Sequence, residues 1–314
     1  MKKIINFLLA FVLLFTNCIA LSACDFNEKV DETKLQVVST IFPGYDFAKQ
    51  IGGEAVQSWM LLSPGQESHS YEPSPKDIIK IKTCDVFIYI GGEADSWVES
   101  ILNAIETPIK TIKMIDYVTP VCIEGDHFHE HEEEENEHAH SVDEHVWTSP
   151  LNAKAISKAI ADTFAELDQT NTNMFSENYT QYATKLDELH NSFNTFFAGV
   201  QNKTLVFGDR FPMAYFANEY GLTCYSAFNG CSTETEASTA KIAELIEIVK
   251  TNSLKTVFYM EFSNHKIADS IAESTKTKTA ALHACHNVSK KDFRAGVTYI
   301  DLMTKNLNTL KEAL

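Results

Sequence analysis

The chain has 314 residues, 44% of them hydrophobic, and a formal net charge of −17. That length suits one large or two medium domains, at roughly 100–200 residues each. The acidic balance argues against nucleic acid and anionic lipid as partners, since both are polyanions, and is compatible with drawing in cations.

The first element is a targeting signal. Lys2 and Lys3 precede an apolar run from Ile4 to Phe15, broken only by Asn6, and Leu21-Ser22-Ala23-Cys24 follows. This is the order of a secretory signal with small residues before its cleavage point. The run is too short for a membrane span, which needs roughly 20 apolar residues. Leu-Ser-Ala-Cys resembles the bacterial lipobox, whose cysteine is acylated. The expectation is a signal peptide over 1–23, a lipid on Cys24 and a polar tether over 24–34. The mature chain would then sit outside the cell, held to the outer face of the bacterial membrane by its lipid alone. Loss of Lys2 and Lys3 takes the charge from −17 to near −19.

Alternating strand and helix patterns follow. Strands are expected at 35–41, 55–62, 85–90 and 111–115, with helices such as 74–82 and 95–105 between them. A further helix opens at Ser149-Pro150, an N-cap serine with proline at the first helical position. Next, Phe175, Tyr179, Tyr182, Leu186, Leu189, Phe193, Phe196 and Val200 recur at steps of four and three. They predict one apolar stripe on a helix of about 27 residues, roughly 40 Å long. The rhythm then resumes, with strands at 203–207, 222–228, 256–261 and 278–282 and helices at 212–220, 237–251 and 265–276. Strands separated by helices imply parallel sheets built from βαβ units. The expected fold is α/β: two (β/α) domains, 35–170 and 202–314, joined by a long backbone helix over 171–201.

One segment stands outside this plan. Residues 126–140 read DHFHEHEEEENEHAH, with His127, His129, His131, His138 and His140 among seven acidic side chains. Without apolar periodicity it is expected to be a loop. Imidazole suits zinc, copper and nickel, so the loop is a collector of metal ions. It would make a poor tight site, because ordering each residue costs entropy.

A tight site needs ligands on rigid elements. His69 follows the strand at 55–62, Asp209 follows 203–207, and His283 and His286 follow 278–282. His145 lies just beyond the acidic loop. Positions beyond the carboxyl ends of strands are where open α/β sheets bind ligands. Three or four nitrogen and oxygen ligands from two domains would make a tetrahedral zinc site in the cleft between them. The cysteines offer no competing site, since no Cys-x-x-Cys pair occurs among the seven. With Cys18 leaving and Cys24 acylated, five remain, so at least one thiol stays unpaired. Cys231–Cys285 is the preferred bridge.

Several motifs in this order resemble one family. They are Ser63-Pro64-Gly65, His69-Ser70-Tyr71-Glu72-Pro73-Ser74-Pro75-Lys76-Asp77, Gly91-Gly92-Glu93-Ala94-Asp95-Ser96-Trp97, Asp143-Glu144-His145-Val146-Trp147 and Tyr215-Phe216-Ala217-Asn218-Glu219-Tyr220-Gly221-Leu222. Over nearly all of 35–314 the chain resembles the zinc- and manganese-binding proteins of ABC importers, cluster A-I of the solute-binding proteins. The resemblance implies two (β/α) domains on a backbone helix, an ABC permease as partner, a monomeric carrier, and Zn2+ as transported ligand. It makes His69 and His145 the first two metal ligands, and an acidic histidine-rich loop before the second favours zinc over manganese. The second half departs from the pattern. Arg210 falls where a ligand is usual, and arginine stays charged; Asp209, one residue earlier, is the substitute. His283 stands where the family has an aspartate. The expected core is therefore His69, His145 and His283, completed by Asp209, His286 or water. The rival readings are a manganese or iron carrier, a surface adhesin and a metalloenzyme. The last lacks a His-Glu-x-x-His motif and a Gly-x-Ser-x-Gly elbow.

Overall fold

The computed structural model describes residues 30–67, 71–105, 108–123, 141–229 and 237–314. The signal segment, Cys24, His69, the loop at 126–140 and Cys231 lie outside these residues.

The first sheet contains β1 (Leu35–Ser39), β2 (Val56–Met60), β3 (Val86–Tyr89) and β4 (Lys110–Lys113), with helices α1 (Phe42–Gly52), α2 (Pro75–Thr83) and α3 (Ser96–Asn103). A short antiparallel pair, β5 (Cys122–Ile123) and β6 (Ser141–Val142), precedes helices α4 (Pro150–Leu167) and α5 (Thr172–Gly199). The second sheet contains β7 (Thr204–Phe211), β8 (Thr223–Asn229), β9 (Thr256–Met260) and β10 (Lys278–Leu282). Its helices are α6 (Ala214–Tyr220), α7 (Thr239–Thr251), α8 (Lys266–Thr275), α9 (Lys290–Ala295) and α10 (Tyr299–Ala313). No described helix is long and apolar enough to cross a membrane.

Both sheets are wholly parallel, in the orders β2-β1-β3-β4 and β10-β9-β7-β8. Counted from the first strand of each, the two orders are the same, 2-1-3-4, although the halves share no sequence repeat. In each, the order reverses beside the first strand, which opens a crevice at the carboxyl edge. Central strand β3 reads as an unbroken apolar run, Val86 to Tyr89, as a strand covered on both faces does; Val86, Phe87 and Ile88 have no exposure.

The long helix α5 has 28 residues. Phe175, Tyr182, Leu186, Leu189 and Phe193 are buried along it, and Phe197 carries the stripe onward while Phe196 is only partly covered. A four-residue step there keeps pace with 3.6 residues per turn. The helix packs on α1 and α4 from the first domain and on α6 and α10 from the second. One apolar cluster accordingly takes in Val37 and Ile88, Phe193 and Phe197, and Leu205, Phe207 and Phe258. Polar ties cross the same seam. The Tyr299 N–H donates to the Asp46 carboxylate at 2.9 Å, and its hydroxyl donates to the Trp147 carbonyl at 2.7 Å.

Candidate functional site

Strand register places the central groups. Met260 of β9 lies opposite Leu282 of β10, and the Glu261 N–H continues the ladder to the Leu282 carbonyl at 3.1 Å. Glu261 and His283 therefore emerge side by side at the carboxyl edge, about one strand spacing of 4.8 Å apart. Cys285, with φ of 64°, then turns the chain back. Its N–H donates to His283 Nδ1 at 2.9 Å, leaving that nitrogen as the lone-pair bearer. The outcome is a carboxylate between two imidazoles. Glu261 Oε1 stands 3.3 Å from His283 Nδ1 and 3.3 Å from His286 Nδ1, while its Oε2 accepts the Ala284 N–H at 2.8 Å.

These contacts are close but not hydrogen-bonded in geometry: Glu261 Oε1 and His286 Nε2 are buried without a hydrogen-bond partner. Burial alone would raise the Glu261 pKa; the imidazoles of His283 and His286 and the Ala284 N–H bring it down to about 2. Burial holds His283 below its ordinary value, against the pull of Glu261, and His286 and Lys305 further oppose its charging. An ionised carboxylate beside a neutral imidazole is the protonation state in which both groups bind metal.

The turn carrying His283 and His286 is fixed from four directions. Asn306 clamps the His283 backbone, accepting its N–H and donating to its carbonyl, both at 2.8 Å. Trp147 Nε1 donates to the Ala284 carbonyl at 2.7 Å, and the Phe42 N–H to the His286 carbonyl at 3.1 Å. The Asn287 amide donates to the carbonyls of Ser63 and Gln66, each at 2.8 Å, tying this turn to the segment that precedes His69. Cys231, the expected bridge partner of Cys285, lies outside the described residues. Cys285 carries a free thiol with no solvent exposure, directed at the His283 carbonyl inside the core.

A cavity of about 70 Å³ opens beside this cluster, lined among others by Glu67 and His145 from the first domain and by Asp209, Arg210, Glu261 and His286 from the second. His145 is buried, and Asp143 Oδ1 lies 3.1 Å from its Nδ1 and accepts its backbone N–H at 2.7 Å. That contact orients the ring with Nε2 as the lone-pair nitrogen. Burial opposes charging His145, but Asp143, Glu144 and Glu261 together hold its pKa above the ordinary value. Asp209 is engaged differently. Its oxygens accept the N–H groups of Arg210 at 2.8 Å and Met260 at 3.0 Å, strapping β7 to β9 at the bulge between Phe207 and Arg210. Thus His145, Asp209, Glu261 and His286 share one cavity, with His283 against Glu261. Glu67, two residues before His69, lines the same space. Among the described residues, no group of three or more His, Cys, Asp and Glu side chains is arranged to hold a metal ion. Glu261 was not singled out from the sequence. It closes the strand expected at 256–261, and that strand-end position was the available signal.

Comparison with known proteins places the chain in a family. The family described as ZnuA, zinc-uptake complex component A periplasmic, matches residues 37–313. The zinc-binding lipoprotein AdcA of Streptococcus pneumoniae is 32% identical over 317 residues, covering 99% of this chain but only 61% of that protein. The high-affinity zinc uptake system protein ZnuA of Bacillus subtilis is 33% identical over 287 residues, covering 90% and 88% of the two chains. Among solved structures, the Zn(II)-bound ZnuA-like domain of Streptococcus pneumoniae AdcA superimposes with a TM-score of 0.74 at 29% identity, covering 89% and 98%.

Proposed function

The chain belongs to the family of the periplasmic zinc-uptake complex component A, and from that premise we propose that it captures Zn2+ outside the cytoplasm and delivers it to the permease of an ABC importer. The observation that carries the reading is Glu261 Oε1 at 3.3 Å from the Nδ1 atoms of both His283 and His286. A zinc tetrahedron with ligand distances of about 2.0–2.1 Å has edges of about 3.3–3.4 Å; the contact with His286 Nδ1 has the length of one such edge, whereas His283 Nδ1 would have to release the Cys285 N–H before it could serve as a vertex. Charge supports the reading as well. Glu67, Asp209 and Glu261 against Arg210 leave two negative charges around the cavity, which one Zn2+ neutralises.

His69, His145 and His283 are the core ligands in this proposal. With the Asp209 oxygens turned to backbone N–H groups, Glu261 and His286 are preferred over Asp209 for completing the shell. A set rich in imidazole favours zinc over manganese. The anchor through Cys24 belongs to the same proposal, supported by the lipobox-like Leu21-Ser22-Ala23-Cys24 and by a relative named as a zinc-binding lipoprotein. The role is that of a carrier, in which Zn2+ is cargo and no residue is assigned to catalysis.

Calorimetric titration of the metal-stripped chain from residue 25 with zinc and with manganese tests this. One tight zinc site, lost in His69→Ala and in His145→Ala, is expected. Preference for manganese would favour the manganese-carrier reading, and absence of any tight site would favour the adhesin reading.

A further inference from the structure

Phe262 combines three properties that fold stability alone does not reward. It occupies the third position of a tight turn, Met260-Glu261-Phe262-Ser263, closed by the Ser263 N–H to the Met260 carbonyl at 3.3 Å. Its φ is 64°, a left-handed conformation that such a turn normally gives to glycine and that strains a bulky aromatic residue. And 45% of its surface remains exposed, so little apolar burial offsets the strain. What the ring does meet is the metal-binding cluster. It lines the cavity and stands edge-on to both histidines, 6.4 Å from His283 and 6.2 Å from His286, at interplanar angles of 71° and 78°.

We infer that Phe262 is the specificity-determining cover of this site, resting on the zinc reading above. Its ring walls the histidine side of the cavity against water. A tetrahedral zinc ion needs no water once four protein ligands close on it. Manganese prefers a larger, oxygen-rich octahedral shell, and a hydrocarbon wall beside the histidines denies it the added water ligands. The same wall hinders an incoming water or chelator from displacing a ligand, and so lengthens the residence of bound zinc. Apolar surroundings act on metal sites in this way by controlling solvent access.

The test separates cover from turn residue because the two roles predict different changes. Phe262→Gly removes both ring and strain. The metal-free protein should melt at a higher temperature, while zinc release to a chelator in stopped flow accelerates about tenfold and the zinc-to-manganese affinity ratio falls about tenfold. Phe262→Ala keeps the strained conformation and loses the ring, so it should show the metal effects without the gain in melting temperature. Phe262→Trp should retain both slow release and discrimination. If Phe262→Gly and Phe262→Ala release zinc and discriminate manganese within twofold of the parent, the cover is overturned and the zinc reading stands. If the parent itself shows no tight zinc site, the zinc reading fails and the cover with it.

Discussion

Each domain places a buried carboxylate at the carboxyl edge of its sheet, and the two are used in opposite ways. Asp95 spans the ends of β1 and β3, accepting the N–H groups of Ile90 and Gly91 at 2.5 and 3.4 Å and lying 3.5 Å from the Thr40 hydroxyl. Burial raises its pKa to about 6, against the help of those donors. Glu261, buried to a similar degree at the end of β9, sits at about 2. Burial therefore does not separate a structural carboxylate from the one proposed to bind. The neighbours do: backbone donors surround Asp95, whereas one oxygen of Glu261 faces two imidazoles. Asp209 sides with Asp95, although it shares a cavity with Glu261.

The strongest way to break this contrast is to neutralise each carboxylate in turn. Glu261→Gln should weaken zinc binding by more than about 100-fold, since even groups one step removed from a metal are worth about 10–100-fold. Asp95→Asn should leave the zinc affinity within about threefold of the parent, because Asp95 bonds backbone and not ligands. Calorimetry on the two variants decides. Equal losses would mean that both carboxylates act through the fold.

A second contrast lies in pH. Asp46 and Asp95 both rise from 3.8 to about 6, so the folded chain holds their protons more tightly than the unfolded chain does. Each costs up to about 3 kcal/mol once ionised, a cost removed as pH falls through about 6 towards 4. His145, displaced upward, works in the same direction, because its contribution is present below 6.5 and lost as pH rises through its folded pKa. His283, displaced downward, works against them as pH falls below 6.5. Metal-free protein should accordingly melt higher at pH 5 than at pH 7.5, at about 2–4 °C per kcal/mol. Asp95→Asn should shrink that gap; an unchanged gap in the variant would show that Asp95 does not titrate there.

The first domain offers a smaller perturbation. A Cβ on Gly92 would collide with the Glu144 side chain, whose Oε2 accepts the Ala94 N–H at 3.0 Å. Gly92→Ala should cost about 1–3 kcal/mol, as overpacking does. Because Glu144 adjoins His145, a few-fold loss of zinc affinity should accompany the drop in melting temperature. Full affinity with lowered stability would show that the Gly92 cradle supports the fold alone.

Much of this was legible in the sequence, and the illegible parts have physical reasons. Strand positions and the long helix follow from hydrophobic periodicity, which depends on neighbours within one element. His145, His283 and His286 announced themselves as metal-ligating residue types beyond strands or beside the acidic loop. The shared 2-1-3-4 strand order did not, because no sequence repeat accompanies it. Helix α1 buries Gly44 and Asp46 beside Pro43, a pattern that carries no helical signature by itself. The role of Glu261 depended on the register of β9 against β10, and that of Phe262 on a backbone dihedral. Neither quantity is local to the residue. The surroundings of Cys285 were hidden for the same reason: odd-cysteine arithmetic cannot show that its thiol points into a dry core.

The smallest expected effect concerns the acidic histidine-rich segment. His145 is held by residues outside the segment, by Asp143 and by the Tyr215 hydroxyl, which donates to the Asp143 carbonyl at 3.0 Å. The described residues flanking the segment are joined by the ladder of Cys122 with Val142 and Ile123 with Ser141. Removing 126–140 and closing the gap with a short turn should therefore leave His145 in place. From the sequence, five histidines in a polar run without apolar periodicity are expected to give weak sites, because ordering such a run around an ion costs entropy. The tight zinc affinity should stay within about threefold of the parent, while the additional low-affinity ions disappear from the titration. A loss of tight affinity beyond tenfold would instead make one of those histidines a ligand of the central site, and would move the contrast between the sheets from Glu261 to the loop.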